Sequence, residues 1–476
     1  MIKLRDYQLD LIQSTRESLA VNNSVVMQLA TGGGKTFTTA FILDSAIKKG
    51  RRCIFCVHRI ELLRQTSVAF DKVGIEHGYI AATEDYDASK LVHIASIDTL
   101  RNRLDDIKVP DFIVIDEAHR AMCDSWQKVI NYYPTAKKLL ITATPERLDG
   151  RGLKHVAQDI VLGKQTRWLI DNGFLSKYRV FAPSKPDLTN VKTTAGDYNN
   201  AQLAAAMTGG GLTGDALEHY RKHADGKQAI VFAVNIEHSK SIVAQFNEAG
   251  IASAHIDGTT PSLEREDIVE RFRYGETKVL SNVNILTEGF DLPNVEVAIL
   301  LRPTKSLSMF LQMVGRALRP IYADGADLET TEGRIAGQIK KAIILDHAGN
   351  CIEHGLPAME REWSLEGKKG RAKPKIINTT CEDCFHVWER RGNEKIVCPV
   401  CGWTPPVEEK KAIEAMGGDL NEVDETAQAW AWAAHKPLAQ VMKKVTSYND
   451  LVQIARVRGY KAGYAYYKAK ELGLMR

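Results

Sequence analysis

Val25-Val26-Met27-Gln28-Leu29-Ala30-Thr31-Gly32-Gly33-Gly34-Lys35-Thr36 runs from an apolar stretch into three glycines and a lysine–threonine pair. Residues 25–29 have the length and composition of a buried strand. Residues 37–49 are amphipathic, are stopped by Gly50 and read as a helix. A glycine-rich turn between strand and helix lets backbone N–H groups approach phosphate oxygens, and the helix start adds partial positive charge. Thr31, Gly32, Gly33 and Gly34 are therefore expected to cradle a nucleotide's phosphates. Lys35 should reach the β- and γ-phosphates, and the Thr36 hydroxyl should bind Mg²⁺. Leu29 stands where the general pattern G-x-x-x-x-G-K-[ST] has its first glycine. A plain surface turn would account for the glycines but not for strand, turn and helix in register.

Working outward, residues 53–57, 112–115 and 139–141 are further short apolar runs, with amphipathic stretches between them. Short buried strands alternating with helices predict a parallel sheet covered on both faces. Asp116-Glu117-Ala118-His119 follows the run 112–115, and Asp116 lies 81 residues after Lys35. Carboxylates at the end of such a strand sit beside the phosphate loop. Asp116 is expected to hold Mg²⁺ and Glu117 to orient or deprotonate the attacking water, while His119 couples this site to its neighbours. The alternating pattern resumes at 229–234, 252–256, 278–281, 297–301 and 342–345, which predicts a second α/β domain of about 125 residues.

The chain has 476 residues, enough for two to four domains of roughly 100–200 residues each. Its net charge of +4 is too small to indicate a polyanionic partner by itself. No apolar run reaches the roughly 18 residues of a membrane span, and Arg5 and Asp6 stand where a secretory signal would be apolar. A soluble, cytoplasmic protein without a membrane partner is expected. Of eight cysteines, Cys53, Cys56, Cys123 and Cys351 are scattered, which excludes a disulfide framework. Cys53 and Cys56 have C-x-x-C spacing, but on a strand residues three apart face opposite ways, so they read as core thiols.

The other four cysteines form Cys381-Glu382-Asp383-Cys384 and Cys398-Pro399-Val400-Cys401, thirteen residues apart. Two such knuckles suit a closed, structural Zn²⁺ site. Reactive thiols or an iron centre are the alternatives, and Asp383, His386 and Glu389 are further potential ligands. Phe385, Trp388 and Trp403 could pack around the metal or stack on bases. From Lys436 the tail carries nine Lys/Arg against two acidic residues, with Tyr448, Tyr460, Tyr464, Tyr466 and Tyr467 interleaved. That mixture suits phosphate attraction and base stacking, or else a solvated helical face over a small tyrosine core. The expected organisation is a first domain at 1–180, a connector with some helix at 181–225 and a second domain at 226–350. A basic linker at 351–378, a Cys₄ zinc module at 379–405, an acidic linker at 406–426 and a basic helical segment at 427–476 follow.

The order of these blocks over residues 1–350 resembles the superfamily 2 helicases, which commonly accept the departure at Leu29. The resemblance implies two tandem RecA-like domains and ATP hydrolysis. Leu4-Arg5-Asp6-Tyr7-Gln8 is similar to the adenine-reading segment, assigning Arg5 and Gln8 to the base. Asp116 to His119 looks like a DEAH box. Val57-His58-Arg59-Ile60-Glu61-Leu62, Ser96-Ile97-Asp98-Thr99-Leu100 and Thr287-Glu288-Gly289-Phe290-Asp291 look like nucleic-acid contact motifs. By that likeness Arg59, Ser96 and Thr287 touch the strand, and Gly289 and Asp291 touch the ribose. Thr142-Ala143-Thr144-Pro145 resembles the coupling motif, giving Thr142 and Thr144 that role. Gln312-Met313-Val314-Gly315-Arg316-Ala317-Leu318-Arg319 resembles the motif that supplies arginine fingers, so Arg316 and Arg319 would reach the γ-phosphate and Gln312 would couple the sites. Residues 284–303, 312–320 and Leu345-Asp346-His347-Ala348-Gly349-Asn350 are similar to the RadD-like branch of bacterial and phage DNA helicases. That branch implies ATP, Mg²⁺ and Zn²⁺ as cofactors. It also implies single-stranded, forked or branched DNA as partner, alongside a single-stranded-DNA-binding protein or another repair or replication protein. The rival functions are the motor subunit of a restriction-type complex and an ATP-gated DNA-binding scaffold.

Overall fold

The computed structural model describes the chain except residues 1–2, 119–120, 147–151, 183–190, 192, 195–196, 199–201, 204–211, 286–293, 368–375, 381–386, 392–396, 398–401, 403, 405–420, 423–429, 431–432, 435, 437, 462 and 475–476. The cysteine pairs Cys381/Cys384 and Cys398/Cys401, together with His119, Thr287, Gly289 and Asp291, lie outside the described residues.

The first sheet holds β1 (Ser24–Gln28), β2 (Cys53–Val57), β3 (Gly78–Ile80), β4 (Val92–Ser96), β5 (Phe112–Asp116), β6 (Lys137–Thr142) and β7 (Asp159–Leu162). All pair in parallel, in the order β3-β4-β2-β5-β6-β1-β7. Helices α1 (Asp6–Val21), α2 (Lys35–Ile47), α3 (Ile60–Val73), α4 (Ile97–Leu100), α5 (Asp124–Tyr132) and α6 (Thr166–Asp171) accompany it. Every residue of β1, β2 and β5 is buried, as expected of strands covered on both faces. Cys53 and Cys56 fall in different core clusters on opposite faces of the sheet, and burial pushes both thiols up to about 12. They are inert packing groups.

The second sheet is built from β8 (Tyr178–Ala182), β11 (Ala229–Phe232), β12 (Ser253–Ile256), β13 (Val279–Asn282), β14 (Val297–Leu300), β15 (Ala342–Asp346) and β18 (Asn421–Glu422). β9 (Thr193–Thr194) and β10 (Asp197–Tyr198) form a small antiparallel pair, as do β16 (Ile376–Thr380) and β17 (Val387–Arg391). The second sheet's order is β12-β13-β11-β14-β15-β8-β18, parallel except for β18. Its helices are α7 (Leu212–Ala224), α8 (Ile236–Glu248), α9 (Ser262–Arg273), α10 (Leu307–Ala317), α11 (Thr331–Gly337) and α12 (Asn350–His354). The Asp346 carboxylate after β15 is fully buried and accepts backbone N–H bonds from Ala348, Asn350 and Cys351. Asn350 in turn ties Thr304 N and Arg302 O, so the Asp346–Asn350 turn is a structural knot.

The domain boundaries differ from expectation at four places. β8 crosses residue 180 and belongs to the second sheet, because its apolar Val180 and Phe181 are buried there beside β15. The helix within the connector, α7, packs on the second domain, where its buried Tyr220 meets Phe246 of α8 at 5.4 Å between ring centroids. The start of the supposed basic linker is packed: α12 lies on the second domain, with the His354 ring 5.4 Å from Phe310 of α10, and residues 355–367 return to the first domain. There Arg361 N donates to Gln165 Oε1 at 2.9 Å and Lys154 N donates to Leu365 O at 3.0 Å. Within the acidic stretch, Asn421 and Glu422 pair with Ala182 and Phe181, completing the edge that β8 leaves open.

The tail holds α13 (Leu438–Met442), α14 (Tyr448–Val457) and α15 (Tyr464–Glu471). Leu451 of α14 packs with Ala465 and Ala469 of α15, while Tyr466 and Tyr467 are exposed. No helix among the described residues is long and apolar enough to cross a membrane.

His238 on α8 is buried, and neither ring nitrogen has a hydrogen-bond partner among the described residues. Burial lowers its pKa from 6.5 to about 4. The unfolded chain therefore takes up a proton at higher pH than the folded one. The stability due to neutral His238 is complete above about pH 6.5 and is lost as pH falls toward 4, by up to roughly 3 kcal/mol. Urea unfolding of His238→Gln is expected to show a flatter fall in stability over this window. An unchanged slope would assign the acid sensitivity elsewhere.

Candidate active site between the two sheets

Parallel strands leave their carboxyl ends on one edge, and β5, β6 and β1 are neighbours there. β1 delivers the glycine loop: Leu29 N donates to Thr142 O at 3.0 Å and Gly33 N to Ala30 O at 2.9 Å. Gly32 and Gly34 adopt φ of 83° and 90°, the left-handed region that favours glycine. A Cβ on Gly34 would lie 2.4 Å from Gln8 Nε2, and one on Gly32 would lie 2.8 Å from Leu175 Cδ2. Gly34 is also the N-cap of α2, which puts Lys35 and Thr36 in the first turn, where backbone N–H groups lack helical acceptors.

The N-terminal segment closes on this loop. Tyr7 Oη and Gln8 Nε2 both donate to Gly33 O, at 2.8 and 3.0 Å, and Gln8 Oε1 accepts from Arg5 N at 3.0 Å. Both ends of the Gln8 amide are thus engaged by backbone. Arg5 Nη1 donates to Tyr7 Oη at 3.2 Å and its guanidinium lies 4.6 Å over Phe174. Trp168 and Phe174, which complete an aromatic group with Tyr7, carry no local signal in the sequence and were not foreseen.

Asp116 ends β5 and is buried, with Glu117 N donating to its Oδ1 at 2.9 Å. Glu117 has φ 53°, a left-handed conformation that costs a non-glycine residue on the order of 1–3 kcal/mol. Its Oε1 accepts from Gln312 Nε2 of α10 at 3.0 Å, a direct bond from the second domain to the carboxylate of the first. Arg316 lies one turn after Gln312 on the same face of α10 and is buried. Gly315 packs so closely that a Cβ there would fall 2.4 Å from Thr31 Cγ2. Arg319 lies just past the helix end, and its carbonyl accepts from Ser176 Oγ at 3.3 Å. Thr142 Oγ1 donates to Thr144 O and accepts from Thr144 N, while Gln28 Nε2 donates to Ala143 O. That motif is thereby fixed to the end of β1.

Along the opening between the sheets, Arg59 caps α3 and donates to Asn284 O at 2.8 Å, and Ser96 caps α4. Two ion pairs join α3 to α9: Glu61–Arg265 at 2.8 Å and Arg64–Glu266 at 3.3 Å. Arg59, Glu61 and Asn284 belong to blocks quoted from the sequence, whereas Arg265 left no pattern there. The arrangement brings a glycine loop, a carboxylate pair and an arginine-bearing helix to one cleft, which suits phosphoryl transfer to water.

Residues 1–147 match the family described as "Type III restriction enzyme, res subunit", and residues 213–320 match "Helicase conserved C-terminal domain". The chain belongs to the superfamily 2 helicases. This helicase is 32% identical to the 51.5 kDa protein of a Lactococcus phage, over 88% of this chain and 86% of that protein. It is 33% identical to IRC3 of Saccharomyces cerevisiae, named as an ATP-dependent helicase, over 66% of this chain; it spans 49% of IRC3's length. The DNA 3'-5' translocase XPB2 of Sulfurisphaera tokodaii is 25% identical over 67% of this chain and 79% of its own length. Among solved structures, a fragment of an HsdR-type subunit of a type I restriction enzyme from Vibrio vulnificus shares the fold. Its TM-score is 0.56 at 23% identity, covering 74% of this chain and 66% of that one. The helicase hydrolyses ATP.

Gln312→Ala and Arg319→Ala are each expected to keep ATP binding while kcat falls, on the order of 100-fold for a misplaced carboxylate. Steady-state hydrolysis with a nucleotide-binding titration measures both. Wild-type kcat in Gln312→Ala would mean the bond to Glu117 does not serve turnover.

Proposed function

We infer that this helicase is a DEAH-box, RadD-like DNA helicase or translocase acting on single-stranded, forked or branched DNA in repair, recombination or replication. The observation that carries the motor reading is the Gln312–Glu117 bond, because a carboxylate contacted from the other domain makes hydrolysis depend on domain closure. Lys35, Thr36 and Asp116 hold the phosphates and Mg²⁺, Glu117 positions the water, and Arg316 and Arg319 offset charge on the γ-phosphate. The naming of XPB2 as a DNA translocase supports DNA as the track. Arg59, Ser96 and Thr287 then contact the strand, Gly289 and Asp291 the ribose, and His119, Thr142, Thr144 and Gln312 relay between sites.

ATPase rates with single-stranded, duplex, forked and Holliday-junction DNA and with RNA test this reading. Stimulation is expected from single-stranded or branched DNA, with strand displacement on forks. Stimulation by RNA alone would overturn it, and ATP-dependent binding without displacement would point to the scaffold. The family match of residues 1–147 favours one second reading, the motor of a restriction-type complex, for which a co-purifying nuclease is the discriminating result.

The Cys381, Cys384, Cys398 and Cys401 thiolates form a structural zinc site, and the basic tail that carries α13 to α15 adds DNA contact. Because residues 355–367 pack on the first domain, the informative truncation ends at Gly367 rather than at Asn350. It is expected to remain folded and hydrolyse ATP, to lose the one zinc ion per chain that the full protein holds, and to bind DNA with a shallower salt dependence. Equal affinity and equal salt slope in the two proteins would remove the tail from DNA binding.

A further inference from the structure

Between the finger-bearing helix α10 and strand β15 the chain makes an excursion over residues 320–341. Its arms meet at the Tyr322–Gln338 bridge, with Ala323 N donating to Gly337 O at 2.8 Å and Ile339 N to Ile321 O at 3.0 Å. Its outer part holds α11, capped by Thr330. The excursion grips the turn that leads out of α6 in the first domain. Tyr322 Oη donates to Gly173 O at 2.5 Å, Gln338 Nε2 to Gly173 O at 2.9 Å and to Leu175 O at 3.1 Å, and Arg334 Nε to Asn172 O at 2.9 Å. Gly173 has φ 73°, and a Cβ there would lie 2.8 Å from Arg334 Cβ. The fit is tight enough to need glycine.

That turn carries Phe174. The Arg334 guanidinium lies 4.0 Å over the Phe174 ring, and the Arg5 guanidinium lies 4.6 Å over it. Tyr7 and Trp168 sit 5.0 and 5.9 Å from the same ring, centroid to centroid. Arg334 is buried, and its remaining donors go to Leu328 O, Glu329 O and Thr331 Oγ1, each at 2.9 Å. It therefore meets a ligand only through what it supports. Arg5 is partly exposed and continues through Gln8 and Tyr7 to Gly33 of the phosphate loop.

We propose that the 320–341 excursion is a nucleobase clamp, in which Arg334 positions Phe174 and, through it, Arg5 for adenine. Selectivity for the base is then set partly from the second domain, by the chain segment that follows the arginine fingers. A guanidinium fixed against an aromatic face holds both groups to one geometry, and a base-reading donor displaced from that geometry loses discrimination before it loses turnover. The proposal rests on the assignment of Arg5 and Gln8 to the adenine ring.

KM and kcat for ATP and for GTP, measured on the full-length protein, test it. Arg334→Ala is expected to raise KM for ATP about tenfold, leave KM for GTP within about twofold and change saturated kcat by less than about threefold. Arg334→Lys should recover part of the discrimination. Tyr322→Phe, which removes a single hydroxyl bond and guards against a misfolded Arg334→Ala, should shift ATP in the same direction by less. Parallel rises for ATP and GTP, or a fall in kcat alone, would overturn the clamp. Arg5→Ala separates the two levels. If it leaves the ATP-to-GTP ratio unchanged, or if the wild-type protein does not discriminate, the adenine assignment itself fails. If Arg5→Ala abolishes discrimination while Arg334→Ala does not, the assignment stands and the clamp is wrong.

Discussion

Glu117 is held from two directions. Its backbone is forced into φ 53° where β5 ends, and its carboxylate accepts the Gln312 amide from the other domain at 3.0 Å. A strained residue persists only where its surroundings over-determine it, and here the surroundings include both sheets. The parallel order β5-β6-β1 brings this carboxylate alongside the glycine loop, and the close approach of Gly315 to Thr31 brings α10 to the same place. Much of the remaining architecture can be read as holding those two edges face to face.

The contacts that do so are unequal. Arg64–Glu266 joins two side chains that are more than half exposed, so it contributes little once screened by salt. Glu61–Arg265 is more enclosed and geometrically better. At the linker the contacts are of another kind: Ser176 N donates to Leu318 O at 2.8 Å, and three side chains of the 320–341 excursion bond the carbonyls of residues 172–175. The two domains are thus joined firmly around residues 172–178 and lightly along the α3–α9 opening. That gradient suits a machine that must part along one side while keeping its parts in register on the other.

Local pattern carried most of the fold. The run 53–57 is β2 to the residue, and the runs at 112–115, 229–234 and 342–345 fall within two residues of strands. Such strands are legible because burial on both faces demands unbroken apolar runs. β3, β7 and β8 escaped notice for the complementary reason: they are short, partly exposed or mixed with tyrosine and arginine. That the glycine loop and the Asp116–Glu117 pair share one edge was legible because both directly follow unbroken apolar strands of a parallel sheet. The supporting groups were not. Trp168, Phe174 and Arg334 act through contacts with residues some 160 to 170 positions away in the chain, and no local window contains such a relation.

The chain passes from the first domain to the second at residues 175–178 and returns at residues 355–365, and these two passages touch where Ala358 N donates to Tyr178 Oη at 3.1 Å. Two threads lying side by side behave as a pivot. They bend together at little cost, but sliding or full separation of the domains would have to stretch both and break the bond between them. The returning thread also hands the chain back to the first domain at Lys154 and Leu365. β18 then pairs with β8 at Ala182 and Phe181, so tension on the tail beyond residue 422 loads the second sheet first, and reaches the first as torque about that pivot.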